Sequence, residues 1–243
     1  MSYSFAPHLA TLRTARSNDA TGRLYALVDV AQLPGARRAV ERVIGAEQYR
    51  LLFAGCFAES AMSLSPLLIE LPAPGEAALS QISALDNSLK SLPVLGVLLT
   101  AMTLDELTRH LQSLLIIETD ESPYLLRLAD TQMLAAFNAT LEPAQRARLF
   151  YAIDNWWTVD HNGTLIDFCN GRDAAQSLAN LPLQLTADQT STLLTAVIVP
   201  TLASQLRNLN NAFATTLTTR SKRVLLPKRS MLRGTLARLP MTN

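Results

Sequence analysis

The chain has 243 residues, a net charge of +1, 49% hydrophobic and only 17% charged side chains, and a mean hydropathy of +0.16. Ordinary soluble domains carry roughly 25% charged residues, so this composition describes either a large core or an apolar patch that a partner covers. No stretch reaches the ~20 uncharged apolar residues of a membrane span; no signal peptide is visible in residues 1–22; and the distant Cys56 and Cys169 suggest no disulfide framework, so a cytoplasmic protein is expected.

Residues 1–22 are polar and mixed, an arm or a short helix. Apolar runs predict strands at Leu24–Val30, Arg50–Ala54, Leu67–Leu71 and Val94–Thr100. Helical patterns separate them: Pro34–Ile44, with its proline in the first turn, and a weaker one around Leu79–Leu92. Thr103 and Glu106 have the spacing of a capping box, in which each side chain satisfies an orphan backbone N–H. Leu104, Leu107, Leu111 and Leu114 then form one buried stripe. Leu115–Glu118 and Tyr124–Leu128 flank Thr119-Asp120-Glu121-Ser122-Pro123, a turn composition that predicts a hairpin.

A helix is expected from near Thr131 and another over Pro143–Ile153. Trp156 and Trp157 follow, adjacent aromatics expected to divide between core and surface. Trp157–Asp160 and Thr164–Asp167 flank His161-Asn162-Gly163, and Asn-Gly is the preferred pair for a tight hairpin turn. Beyond about Asp173 the pattern turns helical, with a second capping-box spacing at Thr186 and Gln189. Leu194, Ile198, Leu202, Leu206, Leu209, Phe213 and Leu217 form a long stripe that Pro200 should kink or divide.

Strands alternating with helices predict an α/β fold, a mixed sheet with flanking helices, followed by a mainly helical C-terminal lobe. The hairpins make the sheet mixed rather than purely parallel. The expected organisation is an N-terminal arm over 1–22, an α/β domain over 23–172, and a helical, basic lobe and tail over 173–243. Charge divides along the same line. No acidic residue follows Asp188, whereas Arg207, Arg220, Lys222, Arg223, Lys228, Arg229, Arg233 and Arg238 supply 8 positive charges. Such a split marks a binding tail or an internal docking surface.

Motifs for chemistry are missing. There is no G-x-S-x-G elbow, no glycine-rich phosphate loop and no pair of cysteines or histidines at ligand spacing. His8, His110 and His161 belong to three separate elements; His110, at the edge of the leucine stripe, reads as a hydrogen-bonded structural histidine. Asp29, ending the first strand, and Asp130 could form a carboxylate pair for acid–base work. No nucleophile, metal or cofactor signature accompanies them. The favoured reading is that Arg127 and Asp130 form an ion pair or cap the helix beginning near Thr131. Neither catalysis, a cofactor nor a metal is expected.

Several motifs occur in an order that resembles one family. Leu24-Tyr25-Ala26-Leu27-Val28-Asp29, Tyr49-Arg50-Leu51-Leu52-Phe53-Ala54-Gly55 and Ser65-Pro66-Leu67-Leu68-Ile69-Glu70-Leu71 are followed by Gly96-Val97-Leu98-Leu99-Thr100 and Leu104-Asp105-Glu106-Leu107 with His110-Leu111. Arg127 and Asp130 then match an F-R-x-x-D-P-R motif, and the helix from Pro143 precedes Trp156. The set is similar to the effector-chaperone (adaptor) family of bacterial type VI secretion, over about Leu24–Trp157. Thr131 and Gln132 stand where that motif has proline and arginine.

The resemblance implies a non-catalytic cytoplasmic adaptor that holds one effector toxin and helps load it on the VgrG spike protein, with no small-molecule substrate. It also implies that the divergent part from about Asp173 sets client choice. The expected partner-binding residues are Asp29, Arg127, Asp130, Leu206, Phe213, Arg220, Lys222 and Arg223. The alternative is a nucleic-acid or anionic-surface binding protein acting through the basic tail. Against it, no aromatic residue follows Phe213 on which bases could stack.

Overall fold

The computed structural model describes residues 3–18, 22–44, 48–57, 59–72, 75–90, 92–119, 123–169 and 183–195. These lie in a compact unit spanning Met1–Val197. In chain order they form α1 (Leu9–Asn18), β1 (Arg23–Val28), α2 (Ala36–Ile44), β2 (Tyr49–Leu51), β3 (Leu67–Glu70), α3 (Glu76–Ser88), β4 (Leu95–Thr100) and α4 (Leu104–Ser113). There follow β5 (Ile116–Glu118), β6 (Tyr124–Leu125), α5 (Thr131–Thr140), α6 (Pro143–Leu149), β7 (Ile153–Val159), β8 (Leu165–Asp167) and β9 (Leu183–Gln184). A last helix, α7, covers 187–195. The α/β class with flanking helices is the one expected from the alternating pattern.

Six strands form the main sheet in the order β2-β3-β1-β4-β7-β8. Every ladder in it is antiparallel. The connections explain how alternating strands and helices give that result. β1–α2–β2 and β3–α3–β4 each return the chain in the same direction but leave a one-strand gap. β3 fills the first gap and β1 the second, each running the opposite way. The second sheet, β6-β5-β9, is the mixed one, with β5 antiparallel to β6 and parallel to β9.

Both faces of the main sheet are covered, so its strands read as continuous apolar runs rather than alternations. Leu24, Ala26 and Val28 of β1 face a core shared with α1, α2 and α3; Tyr25 and Leu27 face one shared with α4, α5 and α6. The N-terminal residues are part of the first layer, because Phe5 and Leu12 are fully buried. Asp86 of α3 accepts the Phe5 N–H at 3.0 Å and the Ser4 hydroxyl at 2.6 Å.

The two tryptophans depart from expectation. Both are buried, on opposite faces of β7: Trp156 in the α4–α6 core and Trp157 in the α1–α3 core. Successive side chains of a strand point to opposite faces, and here neither face meets water. Gly96 makes room for Trp156, since a Cβ there would sit 3.1 Å from the indole nitrogen.

Other elements lie close to their expected positions. The capping box of α4 forms, the Thr103 N–H donating to Glu106 Oε2 at 2.8 Å and the Glu106 N–H to Thr103 Oγ1 at 3.4 Å. β7 and β8 close through Asp160, whose carboxylate accepts the N–H groups of Asn162 and Thr164, with Gly163 at φ +80°. The strand expected over Arg50–Ala54 shifts to Tyr49–Leu51, and residues 52–57 turn. The helix expected to reach Ile153 stops at Leu149, because Ile153 begins β7.

His110 is a structural histidine, as expected: its Nε2 lies 3.1 Å from the Leu149 carbonyl oxygen. Burial, with a smaller contribution from the Arg148 charge, pushes the ring below its usual range, against the pull of that hydrogen bond. Folding therefore favours the neutral ring. Its contribution is present above the unfolded value of about 6.5 and is lost as pH falls below it. Between pH 7.5 and 5.5 the wild-type Tm should fall more than that of His110→Gln, whose amide can keep the donor to Leu149. Parallel pH profiles would refute this assignment.

Candidate functional site

Asp29, Arg127 and Asp130 come together in space. The Asp29 carboxylate, at the end of β1, is 3% exposed. Its Oδ1 accepts the Ala31 N–H at 3.0 Å, and its Oδ2 accepts Gln32 Nε2 at 3.0 Å and Arg127 Nη2 at 2.5 Å. Arg127 Nη1 also lies 3.5 Å from Asp130 Oδ2. Asp130 in turn is the N-cap of α5, its Oδ1 accepting the N–H groups of Gln132 and Met133, both at 3.1 Å. The ion pair and the helix cap read from the sequence are thus both present. One guanidinium ties the end of the central strand to the start of α5.

That tie positions an apolar cleft. Leu125 and Leu126 immediately precede Arg127, and Met133 follows one turn into α5. With Ile117 and Tyr124 of the β5–β6 hairpin, Leu185, and Leu193 and Leu194 of α7, they line a cleft to which, among the described residues, Thr119 and Thr190 add the polar side chains besides the tyrosine. The hairpin is short, but the Leu126 N–H extends it by donating to the Leu115 carbonyl at 2.7 Å. Several aliphatic side chains at the rim meet water. Leu125 is 43% exposed, Leu194 38%, and Ile116, paired across the ladder with Leu125, 39%.

α7 is held against this region by two interlocked capping boxes. In the first, the Glu142 N–H donates to Gln145 Oε1 at 2.8 Å; in the second, the Thr186 N–H donates to Gln189 Oε1 at 3.0 Å. The two glutamines also bond each other, Gln189 Nε2 to Gln145 Oε1 at 2.7 Å. Gln145 reaches the Gln184 carbonyl at 2.7 Å and Gln189 the Thr140 carbonyl at 2.9 Å. The amides therefore join the start of α7 to the α5–α6 corner, and β9 joins it to β5 through Ile117↔Leu183 and Glu118↔Gln184.

Of the residues expected to bind a partner, Asp29, Arg127 and Asp130 come together but do not line the cleft. Only Arg127, with 41% of its side chain exposed, offers much surface. Leu206, Phe213, Arg220, Lys222 and Arg223 lie outside the described residues, as do Pro200 and the stripe beyond Leu194. Sequence reasoning missed the cleft itself. Its available signals were the absence of charge from Thr131 to Thr140 and the Thr186/Gln189 spacing, which fixes where α7 starts.

Among the described residues, no helix is long and apolar enough to cross a membrane. A family model described as "Domain of unknown function (DUF4123)" matches residues 24–148, just over half of the chain. The match runs from the start of β1 into α6, so the hairpin and α5 lie inside it and α7 outside. No curated protein and no solved structure matches the chain.

Proposed function

This chain belongs to the family described as a domain of unknown function, DUF4123, and from that premise we propose that it is a non-catalytic adaptor of type VI secretion. It binds one effector toxin in the cytoplasm and helps load it on the VgrG spike protein, without a cofactor. The observation that carries a binding role is the cleft between the β5–β6 hairpin, α5 and α7, where aliphatic side chains meet water beside a sheet buried on both faces. A monomer gains by covering such side chains, and a partner is the means that leaves them accessible when alone.

The assignment of type VI secretion rests on the ordered motifs from Leu24 to Trp156 and on family membership. The carboxylates agree with a non-catalytic role. Asp29 and Asp130 are occupied by Arg127 and by backbone N–H groups.

A tagged full-length protein captured from its native cells tests the proposal by mass spectrometry. Recovery of a VgrG spike protein together with one large effector is the expected result. Recovery of nucleic acid, lost at raised ionic strength, would replace the adaptor with the anionic-surface reading of the basic tail.

A further inference from the structure

One cation stands apart from the rest of the charge pattern. Arg148, near the end of α6, is half-buried, yet among the described residues no carboxylate, carbonyl or hydroxyl engages its guanidinium. The other arginine of α6 is committed: Arg146 Nη2 donates to the Asn138 and Leu141 carbonyls at 3.2 and 3.0 Å. Arg38 and Arg109 also lack an ion pair, but both are exposed and water serves them. Burial lowers the Arg148 guanidinium from its ordinary pKa. A half-buried charge without a counterion is costly, and its complement is an anion supplied from outside.

The surroundings say which anion. Tyr151, 41% exposed, follows just past the helix, its N–H donating to the Arg148 carbonyl at 3.3 Å. The centroid of its ring lies 6.1 Å from that of His110 of α4, and the Arg148 charge adds to burial in lowering the same histidine. The three side chains therefore share one corner of α4 and α6. Among the described residues the Tyr151 hydroxyl, like the guanidinium, has no partner. Ala144, one turn before Arg148, and Ala152 are exposed, and residues 143–153 contain no acidic side chain. Ala152 holds φ +51°, unusual for a residue with a Cβ, and its carbonyl accepts Thr100 Oγ1 at 2.6 Å. The turn that presents Tyr151 is thus fastened to β4.

One guanidinium balances one carboxylate, whereas nucleic acid draws on many cations at once. An exposed tyrosine beside an arginine, among small apolar neighbours, is the composition of a protein contact. The residues after Asp188 offer no acidic side chain, so the basic tail cannot supply the carboxylate.

We propose that the α4–α6 corner around Arg148 and Tyr151 is a docking surface that receives an aspartate or glutamate side chain of a partner protein. The carboxylate takes the guanidinium and the tyrosine hydroxyl, and an adjacent apolar side chain of the partner covers Ala144 and the tyrosine ring. That the partner is a secretion protein rests on the adaptor reading; the chemistry of the contact does not.

The test pans full-length protein against a phage-displayed library of random 12-residue peptides and measures an enriched peptide by fluorescence anisotropy. Wild type should enrich peptides with aspartate or glutamate beside an apolar residue, and Arg148→Glu should enrich lysine or arginine instead. Changing the peptide's acid to its amide should weaken binding to wild type about tenfold or more, and leave binding to Arg148→Met unchanged. Arg148→Met keeps the apolar stem and removes an unpaired charge, so its Tm should hold or rise while binding falls.

Enriched peptides without a carboxylate, no enrichment, or equal enrichment by Arg148→Met would overturn the proposal. A lower Tm for Arg148→Met would make Arg148 a structural residue and overturn it too. So would concentration-dependent self-association lost in Arg148→Met, which would make the occupant a second copy. Successful selection by a wild-type protein that captures neither spike nor effector from its native cells would remove the adaptor reading and leave the docking surface standing. Failed selection with successful capture would do the reverse.

Discussion

Replacing Trp156 with alanine is expected to remove about 3–5 kcal/mol of folding stability, the range for a fully buried large aromatic. For a chain of this size the Tm should fall on the order of 10 °C. The indole is 1% exposed and meets Phe150 edge-on, with ring centroids 6.0 Å apart and planes at 89°. Trp157→Ala should cost a similar amount, although its side chain points the opposite way, because it is 2% exposed among Leu95, Val97 and Leu99. Losing both approaches the whole stability of an ordinary domain, about 5–15 kcal/mol, so the double variant should lack a cooperative unfolding transition. Urea unfolding of the three variants checks this. A change below about 1 kcal/mol for Trp157→Ala would mean that its face of the sheet is not covered.

The second large effect lies at Arg127. Truncation to alanine leaves the Asp29 carboxylate buried with only the Ala31 N–H and the Gln32 amide as partners. Removing one member of a fully buried pair costs about 3–5 kcal/mol. The guanidinium is 41% exposed, so water offsets part of the loss, and about 1–3 kcal/mol is expected. The change should spread to the cleft, since Leu125 and Leu126 on one side and the Asp130 cap on the other flank the same residue. A double-mutant cycle with Asp29→Ala separates the pair from its surroundings. Coupling of about 1 kcal/mol or more supports the tie, and additive losses would show that Arg127 contributes through packing alone.

Local signals in the sequence translated well into structure. The Thr103/Glu106 box, the leucine stripe of α4, the Asn162-Gly163 turn and the start of α7 at Thr186 all follow from neighbours within a few residues. The Arg127–Asp130 pair was legible for the same reason.

What depends on distant neighbours was not. Strand direction is absent from an apolar run, and only the register β3-β1-β4 shows that the βαβ connections leave gaps filled the opposite way. One of the two tryptophans reads as a surface residue until α1–α3 are seen to cover the face of Trp157. Phe5 and Leu12, two apolar side chains in a polar stretch, gave no periodic signal, yet both are fully buried. The cleft was the least legible feature. Ile117, Tyr124, Met133 and Leu193 come from four elements and Leu185 from the loop after β9, and the exposure of Leu125 is a property of the assembled sheets.

The central place of β1 has a consequence for synthesis. β1 leaves the ribosome before the other strands of its sheet, five of its six residues are buried in the finished fold, and both of its edges are claimed by later strands. β3 begins at Leu67 and β4 at Leu95, so at about 5–20 residues per second the emerging ribbon stays open for several seconds. During that interval the nascent chain offers other polypeptides an unpaired apolar template, and its safety then depends on elongation speed and on holdases near the exit tunnel.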